Sequence, residues 1–276
     1  MKSTGRTVLA SLIVTTFIIS GATARAAAPQ PVFTPAQEAR IGEVAADYLV
    51  AHPEVLVNVS QKLQEQQQER QMQAMTGAVA EYQAALLGDK GTPSYGPADA
   101  QVTVVEFFDY QCIYCARLAP VLQTVMAANP DVRFVFKELP IFGERWPESG
   151  RAAKTGLQIW RQKGAEAYLR YHNALYATGH NEGRLTDDDI RAAATAVNFD
   201  AGQAADVQGT LDGIQTLAQQ LGFSGTPALV VLPSAGARAG RVTVIPGLTR
   251  ADTLQKAINT AAGDPKPTSA GEGEHP

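Results

Sequence analysis

Hydrophobic and polar positions alternate in three different ways along the chain. The first is an unbroken apolar run, Val8 to Ile19, preceded by Lys2 and Arg6 and followed by Gly21 and the small-residue stretch Ala24-Arg25-Ala26-Ala27-Ala28. A basic start, an apolar centre and small residues at the end are the order of a cleavable export signal. Residues 1–26 are therefore expected to be removed, and the mature chain to work in the periplasm. The run is shorter than the roughly 20 residues a spanning helix needs. An uncleaved anchor is the rival reading.

The second regime begins at Thr34. Ile41, Val44, Ala45, Tyr48 and Leu49 recur at i, i+3, i+4, i+7 and i+8, one apolar stripe of a helix. Thr34 followed by Pro35 is a start signal, a cap and then a first-turn proline. His52-Pro53 should break that helix, because proline removes a backbone donor and disfavours helical geometry in the residue before it. A second helix then carries Val55, Leu56, Val59 and Leu63 on one side. Gln61 to Gln73 loses the apolar phase, and Met72, Met75, Val79, Tyr82 and Leu86 recover it at spacings of three and four, which predicts a short coiled-coil seam. Residues 27–88 thus form a helical region with too few large apolar residues for a core of its own. Its stripes must meet other copies of themselves, the reading preferred here, or fold back on the same chain as an amphipathic arm. Residues 89–100, rich in Gly and Pro, are expected to be a linker.

The third regime is mixed. Val102 to Phe108 is a buried strand interrupted by Glu106. A helix with Leu118, Val121, Leu122 and Val125 follows, ending at Asn129-Pro130, and Val132 to Phe136 is a second strand. Ser149–Lys163, Ala165–Thr178, Asp187–Val197 and Ala204–Leu221 read as successive helices, making an insertion over about 147–222. Ala228 to Leu232 and Arg241 to Ile245 form a strand pair, and a last helix runs from about Thr249 to Ala262. The domain at 101–262 is therefore α/β, in the order β-α-β, helical insertion, β-β-α. Residues 263–276 are expected to be a disordered tail.

Composition narrows the chemistry. With 276 residues, 45% hydrophobic and 18% charged, the chain can bury a core without disulfide or metal staples. Its net charge of −4, with the acids scattered, leaves no basic face for phosphates, so nucleic acid is excluded as a partner. The two cysteines then need another purpose. Cys112-Ile113-Tyr114-Cys115 lies where a strand hands over to a helix, which places the first sulfur beside unpaired backbone N–H groups. There a thiolate is stabilised, while Cys115, one turn further, is more shielded. Such a pair is an exposed attacker and a protected resolver, as thiol–disulfide exchange requires. The alternatives are a zinc site, a structural disulfide and two inert thiols. Zinc takes four ligands, and His52, His172, His180 and His275 do not cluster with the pair in sequence. A bridge over so short a loop would constrain the unfolded chain little.

Glu106, six residues before Cys112, should be desolvated with a raised pKa, fit to take or give the proton exchanged by Cys115. The competing reading is an acid at a strand edge facing water. Lys137, ending the neighbouring strand, is a candidate counter-charge for it, or half of a solvated pair with Glu138. Gly225-Thr226-Pro227 immediately precedes a strand, which by itself is ordinary punctuation.

Together these residues resemble the thioredoxin superfamily, and within it the DsbA-like branch. The likeness rests on Glu106, the run Phe107-Phe108-Asp109-Tyr110-Gln111-Cys112-Ile113-Tyr114-Cys115, the helical insertion and Gly225-Thr226-Pro227. The resemblance implies a thioredoxin-like fold with an N-terminal helical extension, a redox-active Cys112–Cys115 pair and no required cofactor. It implies that Pro227 is cis beside the cysteines, with the Thr226 backbone able to pair with an extended substrate. The Leu49-to-Leu56 stretch is similar to the suppressor-of-copper-sensitivity and Com1-like members, some of which oligomerise through this region and act as disulfide isomerases. The implied partners are cysteine-containing exported proteins, a membrane redox partner and further copies of the chain. The Ile113-Tyr114 dipeptide departs from the proline common at the first of these positions, so redox poise does not carry over, whereas Thr226 leans toward the isomerase-like members. Direction therefore stays open between isomerase or reductase and dithiol oxidase. Outside that class stands a non-enzymatic copper- or peptide-binding module, its dithiol holding a soft ion such as Cu(I).

Overall fold

The computed structural model describes residues 32–263. The expected export signal and most of the expected tail lie outside them. Two bodies are distinguished, the chain dividing between Gln61 and Lys62. Among the described residues no helix is long and apolar enough to cross a membrane.

In the first body, α1 (Pro35–Ala51) begins where expected. Thr34 accepts the Gln37 amide at 3.3 Å and Gln37 reaches back to the Thr34 amide, so two orphan donors of the first turn are satisfied reciprocally. His52-Pro53 ends it, and α2 (Pro53–Glu81) starts at once. No residue of α1 is buried, and Ile41, Val44 and Tyr48 of its apolar stripe are exposed.

The second body is built on a five-stranded sheet in the order β1-β3-β2-β4-β5. Its strands are β1 (Ser94–Tyr95), β2 (Val102–Phe108), β3 (Arg133–Glu138), β4 (Ala228–Pro233) and β5 (Thr243–Pro246). β2 runs parallel to β3, and the other pairs are antiparallel. Every residue of β2 and β4 is buried, which explains why these segments are mostly apolar with no polar alternation: both faces of the sheet are covered. On one face lie α4 (Ile113–Ala128) and α9 (Ala251–Ala262), giving Leu118, Leu122 and Leu254 to a core shared with Val104 and Phe108. The first three helices of the insertion, α5 (Pro147–Lys163), α6 (Ala165–Ala177) and α7 (Asp187–Thr195), extend that core with Tyr168, Tyr171 and Ile190.

The opposite face corrects one expectation. Together with α8 (Gln208–Gln220), it is covered by the C-terminal part of α2 and by α3 (Gln83–Leu87), whose Met75, Val79 and Leu86 are buried against Val105, Phe107 and Val230. The expected coiled-coil seam is thus an intramolecular one. A stripe at spacings of three and four records that one face is buried, and the chain's own sheet serves as well as a partner helix. Within residues 89–100, expected as a linker, the short strand β1 pairs with β3.

Candidate functional site: a dithiol beside a cis-proline loop

β2 delivers its chain to a turn that aims the cysteines. Asp109, buried, accepts the Gln111 amide at 2.8 Å through one carboxylate oxygen, and the Phe142 amide at 2.9 Å and the Ser149 hydroxyl at 2.7 Å through the other. Gln111 in turn takes the Gly183 amide at 2.9 Å, tying the turn to the insertion. The sequence reading gives neither residue a role of its own. An Asp right after a strand, able to bond the amide two residues on, is the available signal.

Cys112 caps α4 with extended backbone (φ −80, ψ 117). Its thiol donates to the Thr226 carbonyl at 3.2 Å, and the Thr226–Pro227 bond is cis. The two chemistry-bearing segments, 114 residues apart in sequence, therefore meet. Both cysteines are free thiols, and Cys112 is more enclosed than expected: 4% of it is exposed, against 0% of Cys115. The expected contrast between an open and a shielded sulfur is slight in area and large in electrostatics. A hydrogen bond from Cys115, aided by Thr226 and by the first-turn amides of Cys115 and Tyr114, outweighs burial and draws the Cys112 thiol down to about 6. Burial, then the interaction with Cys112, pushes the Cys115 thiol well above its ordinary value. The Thr226 hydroxyl is buried and has no hydrogen-bond partner among the described residues. It is placed to donate to the sulfur once that ionises, so Thr226→Val should move the thiolate absorbance midpoint to higher pH; an unchanged midpoint would remove the hydroxyl from this role.

Glu106 lies on the central strand, buried, with one carboxyl oxygen unpartnered among the described residues. Burial first, and the Cys112 charge second, raise its pKa to about 8. A solvated strand-edge acid is therefore ruled out. Its charge also acts on Cys115, which places the two groups in one electrostatic unit.

Lys137 is not its counter-charge. In the parallel register Glu106 faces Phe136, and Lys137 faces Phe107, whose side chain belongs to the opposite core. The Lys137 ammonium, 1% exposed, donates to the Thr92 hydroxyl at 3.1 Å and lies 3.9 Å from Asp89. Burial lowers its pKa to about 8 against the attraction of Asp89. Its work is to hold residues 85–92 on the sheet. Glu138, its expected solvated partner, is buried on the Glu106 side, where it accepts from Tyr110 at 3.0 Å and Tyr168 at 2.9 Å.

Between the cysteines, Ile113 is half-buried, and Tyr114 is exposed with Arg117 over its ring. Among the described residues no group of three or more His, Cys, Asp and Glu side chains is arranged to hold a metal.

The chain is similar to known proteins. The DSBA-like thioredoxin domain family matches residues 103–259, and the copper resistance protein ScsC N-terminal domain family matches residues 37–70. The solved structure of BcfH from Salmonella enterica Typhimurium is 45% identical, with a TM-score of 0.70, covering 82% of this chain and 96% of that one. That of Proteus mirabilis ScsC in a transitional conformation is 29% identical, with a TM-score of 0.58, covering 84% of this chain and 98% of that one. Disulfide bond formation protein D of Bacillus subtilis (strain 168) is 32% identical over 91 residues, 32% of this chain and 39% of that protein. The chain spans 21% to 39% of the length of the curated relatives it matches.

Proposed function

The chain belongs to the DSBA-like thioredoxin domain family, and on that premise we propose that it is an exported protein thiol–disulfide oxidoreductase working through Cys112 and Cys115. The observation that carries this reading is the Cys112 thiol at a helix N-terminus, held 3.2 Å from the Thr226 carbonyl of a cis Thr226–Pro227 bond.

In the reducing direction, the Cys112 thiolate attacks one sulfur of a substrate disulfide. A Cys112–substrate disulfide forms, and the other substrate sulfur leaves with the electron pair and takes up a proton. Cys115 then loses its proton to ionised Glu106 and attacks the Cys112 sulfur, releasing the second substrate thiolate. The chain ends as the Cys112–Cys115 disulfide and the substrate has gained two electrons. Oxidation of a substrate dithiol is the same path reversed. Pro227 and Thr226 form the wall against which the substrate backbone lies, with Ile113 and Tyr114 on the other side of the sulfur.

The direction preferred here is isomerase or reductase. Thr226 supplies a hydroxyl to the thiolate, and the exposed stripe of α1 suits self-association. Likeness to a disulfide bond formation protein supports the rival, a dithiol oxidase recharged by a membrane partner. The reduction potential of the pair separates them: a strongly oxidising value favours the oxidase, and one near that of the compartment's isomerases favours the preferred reading. A Cu(I) titration that loads the dithiol while insulin reduction stays at background would point instead to a metal-handling module.

Self-association through α1 has its own test. Sedimentation should show an oligomer that the double change Ile41→Glu and Tyr48→Glu converts to a monomer, because a charge placed on a buried apolar seam must be desolvated. A parent chain that stays monomeric at high concentration overturns it.

A further inference from the structure

We infer that the arm helix α2 is part of the substrate site, with Met72 as a specificity-determining residue that seats an apolar side chain flanking the substrate's reacting cysteine. This rests on the exchange reaction proposed above and adds to it which polypeptide segments are served.

The observation is a groove of about 500 Å³ that opens beside the cis Thr226–Pro227 bond. That volume falls in the range of ligand sites, about 300–1,000 Å³. One wall is the loop carrying Thr226 and Pro227, held to the end of β5 by the Gly247 amide, which donates to the Pro227 carbonyl at 2.8 Å. The other wall is the face of α2 formed by Gln68, Gln71, Met72 and Met75. These four stand at i, i+3, i+4 and i+7, so they form a single stripe. The stretch that loses its apolar phase in the sequence therefore presents Gln68 and Gln71 to a groove rather than to a core.

The four residues divide the work. Met75 is buried in the core of the second body, which fixes the helix on the sheet. Met72, one turn earlier on the same side, keeps 37% of its surface exposed over the groove. Gln68 and Gln71 are exposed and can exchange hydrogen bonds with a peptide backbone. A thioether on an unbranched stem adapts to differently shaped apolar partners.

Covalency fixes the occupant. A sulfur bonded to Cys112, whose own sulfur touches Thr226, brings its flanking backbone past Thr226–Pro227 and into the groove. The residue seated there is thus a near neighbour of the reacting cysteine in a locally extended, unfolded segment. Among the described residues, none that lines the groove carries a charge at neutral pH. A carboxylate or ammonium seated there would lose hydration without a partner, so the site favours cysteines flanked by apolar residues, such as those of a protein whose core is not yet closed.

The test compares two peptide disulfides, identical except for Leu or Asp beside the cysteine, with 2-hydroxyethyl disulfide, which is too small to reach the groove. The reading is the kcat/KM of each peptide divided by that of the small disulfide. The parent chain should favour the Leu peptide at least fivefold. Met72→Glu and, separately, Gln71→Glu should lower the Leu-peptide ratio at least fivefold, Met72→Leu should preserve it, and Gln73→Glu, outside the groove, should not alter it. Equal ratios for the two peptides, or an unaltered ratio in both groove variants, would overturn the inference. A parent chain that does not react with 2-hydroxyethyl disulfide would overturn the exchange reading, and this inference with it.

Discussion

Replacing Cys112 with Ser lowers insulin-reducing turnover by more than about a thousandfold, to the rate without protein. Loss of a covalent nucleophile is not compensated by the surrounding site, and a serine hydroxyl does not ionise near the pH at which the thiol does. The Cys115→Ser variant behaves differently. Its Cys112 still attacks, but nothing releases the product, so mixed disulfides accumulate and migrate as higher-mass bands under non-reducing electrophoresis. The asymmetry follows from the opposite displacements of the two thiols, one drawn down to about 6 and the other pushed up. Equal loss of trapping in both variants would contradict it.

Glu106→Gln is expected to change both rate and stability. Without the carboxylate, deprotonation of Cys115 is unassisted, and release of the mixed disulfide should slow by about a hundredfold, within the span of general base catalysis, while the first attack keeps its rate. The stability effect has a definite sign. The folded-state pKa of about 8 lies above the ordinary 4.5, so the folded protein holds this proton more tightly than the unfolded chain. That stability is fully present below pH 4.5 and is lost as pH rises toward 8. At about 1.4 kcal/mol per pH unit, the reduced parent should lose about 3 kcal/mol between pH 4.5 and about pH 7 relative to the Gln variant. Urea unfolding of the two reduced proteins at both pH values measures the difference. A gap that does not widen with pH would show that Glu106 is not held protonated by the fold.

Much of this arrangement is legible in the residues. Val102–Phe108 reads as a strand because seven consecutive positions suit burial on both sides, and the observed bounds agree. Cys112 is foreseeable as a helix cap because strand, Asp-Tyr-Gln turn and helical stripe follow one another without a gap. The insertion helices lie close to their expected positions, since Gly164 and the Gly179–Arg184 stretch break the periodicity there. Lys137 fails for a definite reason. Within one strand alternate residues share a face, but which residue stands opposite Glu106 depends on the register between strands, and that register is set by long-range packing. Residues 72–86 fail similarly, because a helical stripe carries no mark of what will cover it. Glu138 reads as solvated beside Lys137, whereas its burial with Tyr110 and Tyr168 is decided by an insertion that starts nine residues later at Pro147.

The order of events at the two sulfurs bears most directly on the account. The reduced protein should be mixed with one equivalent of a peptide disulfide at neutral pH, quenched with acid at successive times, and mapped by mass spectrometry. The peptide should appear first on Cys112 alone and then give way to a Cys112–Cys115 disulfide at the same rate as free peptide thiol is released. Peptide found first on Cys115, or on neither cysteine while the dithiol persists, would contradict the assignment of Cys112 as the attacking sulfur.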